Sequence, residues 1–274
     1  MRVTPHAGLT NRVYRIEAGK GVFFLRLPRE ETAGMIDRNA EAYNLRGAAG
    51  LGVALPPLFC DPDKGILLTR AMDEVECAPE DLAIQIGRAV GRLHASGLAF
   101  SGRLDPDEVY RAQQHSISSS PRYRKEINLL DAAMEKMRTL SNSRSAMRLV
   151  PSHGDLSPGN CLVTAEKFWL IDWEYSGMSE PAWDLAYAVL ENGFSQEQET
   201  ALLATYCASG ASEVCPTAED LRIMKSRCDA VSAAWALEQL VKGRDEATFL
   251  PFARARIERA LHRLDDVETR LTSR

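Results

Sequence analysis

The chain has 274 residues, a length that suggests one large domain or two lobes of modest size. Hydrophobic residues make up 45% and charged residues 26%, values that are typical of globular proteins and exclude disordered or collagen-like chains. The net charge of −5 argues against a general nucleic-acid binder, which usually carries a basic patch. This charge is unevenly spread, since residues 1–72 carry +3 and residues 73–274 carry −8. The split fits an anionic ligand beside the first part and a cationic ligand beside the second, and it also fits ordinary surface scatter.

The cysteines and the amino terminus bear on the compartment. The six cysteines show neither C-x-x-C pairs nor zinc-ligand spacing, so we expect all six to be reduced and to serve as small buried side chains. The amino terminus has no apolar segment typical of a signal peptide, and no run approaches the ~20 apolar residues of a membrane span. These features predict a cytoplasmic protein with no membrane span.

The first part of the chain is predicted to be rich in β-structure. Short apolar or alternating segments predict four strands, over 13–16, 22–27, 58–60 and 65–69. Between the two strand pairs, residues 37–49 follow a helical pattern that ends at Gly50. We expect this lobe to end near Met72, which divides the chain into lobes of residues 1–72 and 73–274.

Helical patterns dominate the second part. They cover 79–94, 105–117, 122–140, 181–191, 196–208, a segment that starts at Pro216-Thr217, and a final helix through Leu271. The exception is Pro151 to Asp172, where a loop precedes two short strands over 161–164 and 167–171. The final helix carries arginines that we expect to form a solvated face: Arg254, Arg256, Arg259 and Arg263. A small β-rich lobe followed by a mainly helical lobe is an α+β plan.

The segment from His153 to Asn160 carries the clearest chemical pattern. An aspartate, Asp155, precedes an amide, Asn160, by five residues inside a loop of Gly and Pro. Such an aspartate can orient a hydroxyl nucleophile and accept its proton, and the amide oxygen can bind Mg²⁺. An apolar strand then ends at Asp172, whose carboxylate is placed to complete the metal site, because Mg²⁺ needs only one or two carboxylates beside phosphate oxygens and water.

The pattern H-x-D-x-x-x-x-N followed by I-D-W-E-Y resembles the aminoglycoside phosphotransferase and choline kinase superfamily, a branch of the protein-kinase-like fold. The resemblance covers about residues 7 to 240. It implies a bilobal α+β fold with ATP and Mg²⁺ as cofactors, bound between a nucleotide-binding first lobe and a catalytic second lobe. His153 is expected to order the loop by hydrogen bonding, and Asp184 to hold it.

The resemblance also implies how the nucleotide is held. Arg26, on the second predicted strand, has the position of the cation that pairs with the α- and β-phosphates, and arginine can bind phosphate bidentately. Glu41 has the position of the acidic residue that braces this cation. The other implied contacts are Thr10 and Asn11, in a loop before the first predicted strand, and the lobe junction at Arg70, Ala71 and Met72.

The stretch from Ile171 to Glu191 looks more like choline and ethanolamine kinases than aminoglycoside kinases, because a glutamate follows Asp184 by seven residues. The resemblance assigns the acceptor alcohol to Asp155, Glu174, Tyr175, Glu191 and Trp235. Carboxylates and aromatic faces suit an ammonium group. The family usually has a second aromatic residue three positions before Trp235, where this chain has a serine.

Three functions are therefore compared. The first is an ATP- and Mg²⁺-dependent kinase for the hydroxyl of choline or a similar small amino alcohol. The second keeps the chemistry with another cationic acceptor, such as ethanolamine, thiamine or an aminoglycoside. The third is a nucleotide-binding module without activity, which is disfavoured because Asp155, Asn160 and Asp172 are all present. The sequence does not give the oligomeric state.

Overall fold

The computed structural model describes residues 1–6, 11–19, 21–29, 36–118, 120–142 and 148–272. The amino-terminal part is a five-stranded antiparallel sheet with the strand order β1-β2-β3-β5-β4. Its strands are β1 (Arg2–His6), β2 (Asn11–Ala18), β3 (Gly21–Pro28), β4 (Phe59–Asp61) and β5 (Ile66–Arg70). The helix α1 (Arg38–Gly50) lies between β3 and β4 in the chain, and its first turn is capped by the Asp37 carboxylate, which accepts the N–H groups of Asn39 and Ala40.

The remainder is mainly helical, so the α+β prediction is confirmed. Its helices are α2 (Pro79–His94), α3 (Pro106–Ile117), α4 (Arg124–Asn142), α5 (Ala182–Glu191), α6 (Gln196–Tyr206), α7 (Ala218–Val241) and α8 (Glu246–Thr272). Four short strands form two pairs: β6 (Val150–Ser152) with β9 (Gly177–Ser179), and β7 (Cys161–Val163) with β8 (Phe168–Leu170). The hydrophobic core lies among the helices, with Tyr110, Trp173 and Tyr206 among its largest fully buried side chains.

The two parts are joined by contacts of α1 and of the segment that follows it. Asn44 is fully buried and donates to the backbone oxygens of Ser101 and Ser176 in the helical part. The segment after α1 pairs with β8, since Leu55 N–H donates to the Leu170 oxygen and Leu170 N–H donates to the Val53 oxygen. Because β8 leads into Asp172, these bonds fix α1 relative to a predicted metal ligand.

The structure adds three strands that the sequence does not predict. β1 contains Pro5 and lies at the edge of the sheet, where a missing N–H is tolerated. β6 and β9 have three residues each and are distant in the chain, so neither has a pattern of its own. Together they bracket the segment that contains Asp155 and Asp172.

Two expectations about side chains are wrong. Cys207 and Cys215 form a disulfide just after α6, while Cys60 and Cys77 are half-buried rather than buried. The arginines of α8 are not a uniformly solvated face, since Arg256 is buried, Arg263 is largely buried and all four pair with carboxylates. None of the helices in the described ranges combines the length and apolar character needed to cross a membrane.

Candidate active site

Asp184 holds the loop that contains Asp155, which is predicted to be catalytic. Asp184 lies on α5, is 0% exposed, and accepts the N–H groups of His153 at 2.8 Å and Gly154 at 2.9 Å. His94 Nε2 lies 3.2 Å from the same carboxylate. Burial alone would raise the pKa of Asp184, but these donors and charges outweigh it and the pKa is lowered. The expected roles of Asp184 and His153 in ordering the loop are both supported by these contacts.

His153 is buried, and its ring forms hydrogen bonds with two backbone segments, one at Asp155 and one at Ile171. Its Nε2 lies 2.9 Å from the Ile171 oxygen, and because a carbonyl only accepts, Nε2 carries the proton. Its Nδ1 then accepts the N–H of Asp155 at 3.3 Å. Burial lowers the pKa of His153, so the ring stays neutral near pH 7. The histidine thereby fixes the distance between the loop of Asp155 and the strand end at Asp172.

Gly154 is required by the close approach of two chain segments. Its φ is +89°, and a Cβ at this position would lie 2.4 Å from the Tyr175 backbone oxygen. The indole of Trp183 donates to the Gly154 oxygen at 3.0 Å. These two contacts fix the backbone of Gly154, the residue directly before Asp155.

Asp155 and Asn160 face each other across the loop. The Asn160 side-chain nitrogen donates to the Asp155 carboxylate and to the Asp155 backbone oxygen, each at 3.0 Å. Asn160 thus uses its nitrogen inside the loop and keeps its side-chain oxygen for another partner. Burial raises the pKa of Asp155, although hydrogen bonds from Ser157 and Asn160 counteract the rise. A raised pKa suits a carboxylate that receives a proton from a hydroxyl.

Asp172 follows β8 and projects into the same cleft. Its φ is +61°, a left-handed conformation that aspartate tolerates better than most residues and that is found at functional sites. The pKa of Asp172 is raised to about 7 by burial and by the neighbouring carboxylate of Glu174, with a smaller opposing effect from Arg26. The side chain is nevertheless 37% exposed, so the carboxylate remains accessible to a ligand at the mouth of the cleft.

Arg26 on β3 forms the predicted pair with Glu41 on α1. Its two terminal nitrogens lie 2.5 Å and 2.8 Å from the two carboxylate oxygens of Glu41, and one of them lies 3.3 Å from Asp172. Burial opposes ionisation of both partners, but the pair lowers the pKa of Glu41 and raises that of Arg26. The guanidinium is thereby oriented toward the cleft, as a phosphate ligand requires.

A second cation, Arg38, links the lobes and was not predicted. It donates to Glu41 at 2.8 Å and to Glu174 at 3.2 Å through one nitrogen, and to the Asn11 side-chain oxygen at 2.7 Å through another. Asn11 in turn donates to Glu174 at 2.8 Å. Glu174, predicted to contact the acceptor, is thus held by two residues from the other lobe. The spacing of Arg38 three residues before Glu41 on a helix is the signal that could have revealed it.

The cleft has an excess of negative charge that suits a divalent cation. Two guanidinium groups, Arg26 and Arg38, face the four carboxylates of Glu41, Asp155, Asp172 and Glu174. Within the described residues no group of three or more His, Cys, Asp or Glu side chains converges on one metal position. Mg²⁺ does not require one, since a carboxylate and an amide oxygen beside phosphate oxygens and water are sufficient. Asp172 and Asn160 therefore fit the ion.

Among the residues predicted to bind the acceptor, Glu191 lies close enough to Asp155 for the two carboxylates to interact electrostatically. Glu191 is the last residue of α5, and burial, followed by the charges of Asp155 and Asp229, raises its pKa against the opposing effect of Arg256. Tyr187, one turn earlier, stacks on Trp183 and has a pKa raised by burial and by the charges of Asp155 and Glu191. Tyr187 is an aromatic residue at this site that the sequence analysis missed, although its spacing from Glu191 on one helix face could have indicated it.

The other residues predicted to contact the acceptor or the nucleotide lie farther from the centre of the cleft or outside the described residues. Tyr175 is 43% exposed at the mouth of the cleft. Trp235 on α7 is half-buried, packs against the core and meets the ring of Phe249 at 5.6 Å. At the lobe junction Arg70 is paired with Phe23 in the sheet, and the Ala71 N–H donates to the Val22 oxygen. Thr10 lies outside the described residues.

A sheet lobe and a helical lobe with an Asp–Asn loop, a second Asp and a paired Arg at one cleft define the architecture of a kinase-like phosphotransferase. The sequence matches the phosphotransferase enzyme family APH over residues 2–222, so the chain belongs to that family. It is 28% identical to LicA proteins of Haemophilus influenzae over 208 and 207 residues, 73% of this chain in each case. The chain spans 61% of the length of one of these proteins and 77% of the other.

Solved structures show the same fold. The choline kinase LicA of Streptococcus pneumoniae superposes with a TM-score of 0.80 at 22% identity, covering 97% of this chain and 94% of that one. A LicA structure in complex with AMP gives a TM-score of 0.78 at 23% identity, covering 97% and 92%. A choline/ethanolamine kinase family protein of Mesorhizobium loti gives 0.75 at 26% identity, covering 96% and 88%. These structures confirm the predicted protein-kinase-like fold, and the family match over residues 2–222 confirms the predicted phosphotransferase family.

Proposed function

We propose that this chain is an ATP- and Mg²⁺-dependent kinase that phosphorylates the hydroxyl of choline or a similar small amino alcohol. The observation that carries the proposal is the convergence of Asp155, Asn160, Asp172 and Arg26 on one cleft between the lobes. The LicA relatives, one of them described as a choline kinase and one as bound to AMP, support the nucleotide and the acceptor. Residues 1–72 would bind the nucleotide, and residues 73–274 would supply catalysis and the acceptor site.

Each residue has a distinct part in the proposed reaction. Arg26, oriented by Glu41, binds phosphate oxygens. Asn160 and Asp172 would hold Mg²⁺, which supplies charge neutralisation of the phosphates when bound. Asp155 accepts a hydrogen bond from the acceptor hydroxyl and takes its proton as the hydroxyl oxygen bonds to the γ-phosphorus of ATP, while the bond from that phosphorus to the bridging oxygen breaks and ADP leaves. Phosphoryl transfer depends mainly on positioning and electrostatics, so a loop fixed by Asp184 and His153 suits it.

The acceptor's cationic group is proposed to lie between the acidic and aromatic side chains of the helical lobe. Glu191 shares the electrostatic environment of Asp155, and Tyr187 adds an aromatic face on the same helix. Tyr175 and Trp235 remain predicted contacts. Glu174 also remains a predicted acceptor contact. Its contacts with Asn11 and Arg38 give it a second role, which is to join the two lobes.

A coupled ADP-release assay over a panel of acceptors tests this proposal. We expect choline or ethanolamine to give the highest kcat/KM, and thiamine and aminoglycosides to give far lower values. Preference for an aminoglycoside or thiamine would replace the proposed acceptor while keeping the chemistry. Binding of Mg²⁺-ATP without ADP release on any acceptor would contradict the proposed activity and favour the inactive nucleotide-binding module.

A further inference from the structure

A buried group of charges lies where α5, α7 and α8 meet. At its centre is Asp229 of α7, which is 0% exposed. It accepts from three arginines of α8: Arg256 at 3.0 Å, Arg259 at 2.5 Å and Arg263 at 2.5 Å. Of these three arginines, Arg256, which is 7% exposed, is the one whose contacts with the described residues include a second carboxylate. Because Asp229 is fully buried, its charge must be closely paired, since leaving a desolvated charge without a partner is costly.

The guanidinium of Arg256 is held on three sides. One terminal nitrogen donates to Asp229, the other lies 2.7 Å from Glu191 Oε1, and the central carbon lies 4.7 Å from the centre of the Phe252 ring. Carboxylates at two edges and an aromatic ring on one face leave a planar cation few alternative orientations. Arg256 is therefore a fixed point from which the position of Glu191 is determined.

Glu191 needs such a support because of its place in the fold. It is the last residue of α5, and a carboxylate at a helix carboxyl end is disfavoured by the helix dipole. Asp155 and Asp229 add further negative charge around it. Only Oε1 has a partner among the contacts of the described residues, so Oε2 is left to accept from a ligand.

We propose that Arg256 is a positioning residue for the acceptor: by holding Glu191 through Oε1, it keeps Oε2 turned toward the acceptor's cationic group. This inference rests on the proposed function, in which Glu191 contacts the acceptor. It assigns α8 a part in acceptor recognition, although none of its residues need touch the acceptor.

Steady-state kinetics of three variants test the inference. Arg256→Met should raise KM for choline by about tenfold, the loss expected for one charge-assisted contact, while KM for ATP and kcat stay within about twofold. Arg256→Lys should give an intermediate rise, because one ammonium cannot bridge both carboxylates. The matched control is Arg263→Met, which also removes a cation from Asp229 but leaves Glu191 untouched, and should leave KM for choline unchanged.

A double-mutant cycle decides whether Arg256 acts through Glu191. Glu191→Gln should raise KM for choline, and adding Arg256→Met to it should give no further rise. Additive effects, an equal effect of Arg263→Met, or an equal rise in KM for ATP would each overturn the inference. If Arg256→Met does not fold, Arg256→Lys serves in the same cycle. Normal choline turnover with an unchanged KM in Glu191→Gln would overturn the inference alone, whereas wild-type protein that phosphorylates no amino alcohol overturns the proposed function as well.

Discussion

Replacing Asp184 should damage the catalytic loop and the stability of the protein together. Asp184→Ala leaves the N–H groups of His153 and Gly154 buried without acceptors. An unsatisfied buried donor costs about 1–3 kcal/mol, so the two lost bonds predict a loss of about 2–6 kcal/mol in the free energy of unfolding. Total stabilities are about 5–15 kcal/mol, so a protein near the middle of that range should remain mostly folded. Because the loop precedes Asp155, a shift of about 1 Å is expected to lower kcat by about a hundredfold.

Urea denaturation and a coupled ADP-release assay with saturating choline measure both effects. Asp184→Asn, which keeps one acceptor oxygen, should lose about half as much stability. Asp245→Ala is the matched control, because Asp245 accepts N–H groups from Ala247 and Thr248 at the exposed start of α8. It should cost only about 1 kcal/mol and leave kcat unchanged. A loss below about 1 kcal/mol in Asp184→Ala, with kcat within about twofold of wild type, would refute this reasoning.

Three further predictions concern the cleft. Arg26→Met should raise KM for ATP by at least about tenfold. Arg26→Lys should raise it by less, because a single ammonium retains the charge but loses the bidentate geometry. Equal KM values for ATP in the wild type and both variants would contradict the phosphate role. Since burial lowers the pKa of His153, its stabilising contribution is full above about pH 6.5 and is lost as the pH falls below that value, by up to about 1.4 kcal/mol per pH unit. His153→Gln should flatten that part of the stability curve, and an unchanged slope in urea titrations from pH 6.5 to 5 would exclude the assignment. Asn11→Ala removes bonds to Glu174 and Arg38 and should lower the free energy of unfolding by about 1–2 kcal/mol, whereas no change would show that the lobes do not depend on this contact.

The parts of the site that were predictable are those encoded within one short segment. Asp155 and Asn160 are five residues apart, and the strand before Asp172 is apolar and brief, so spacing alone places them in one loop and hairpin. The pairing of Arg26 with Glu41 was implied only by family resemblance, and the structure bears it out.

What was not predictable depends on partners that are distant in the chain. Arg38 and Glu174 are 136 residues apart, and a sequence pattern does not indicate which arginine of a helix will meet which carboxylate. The arginines of α8 were interpreted as a solvated face because charges at helical spacing usually are. Arg256 falls instead on the side that packs against α7, where it is buried and donates to Asp229 of that helix.

The disulfide between Cys207 and Cys215 was missed for a related reason. Their separation of eight residues matches no familiar motif. The chain turns between them because α6 ends at Tyr206 and Gly210 adopts a left-handed backbone conformation. Such a turn is decided by packing against α2, which spacing does not show.

Phosphorus NMR of a reaction containing Mg²⁺, ATP and choline shows whether this cleft transfers a phosphoryl group to the hydroxyl of a small amino alcohol with Asp155 as the base. We predict a new phosphomonoester resonance from the acceptor and a matching amount of ADP with the wild-type protein. The Asp155→Asn variant should bind ATP with near-normal affinity and form this product at least about a thousandfold more slowly. The absence of a phosphoester from choline and from every other amino alcohol, or its undiminished formation by Asp155→Asn, would contradict the account.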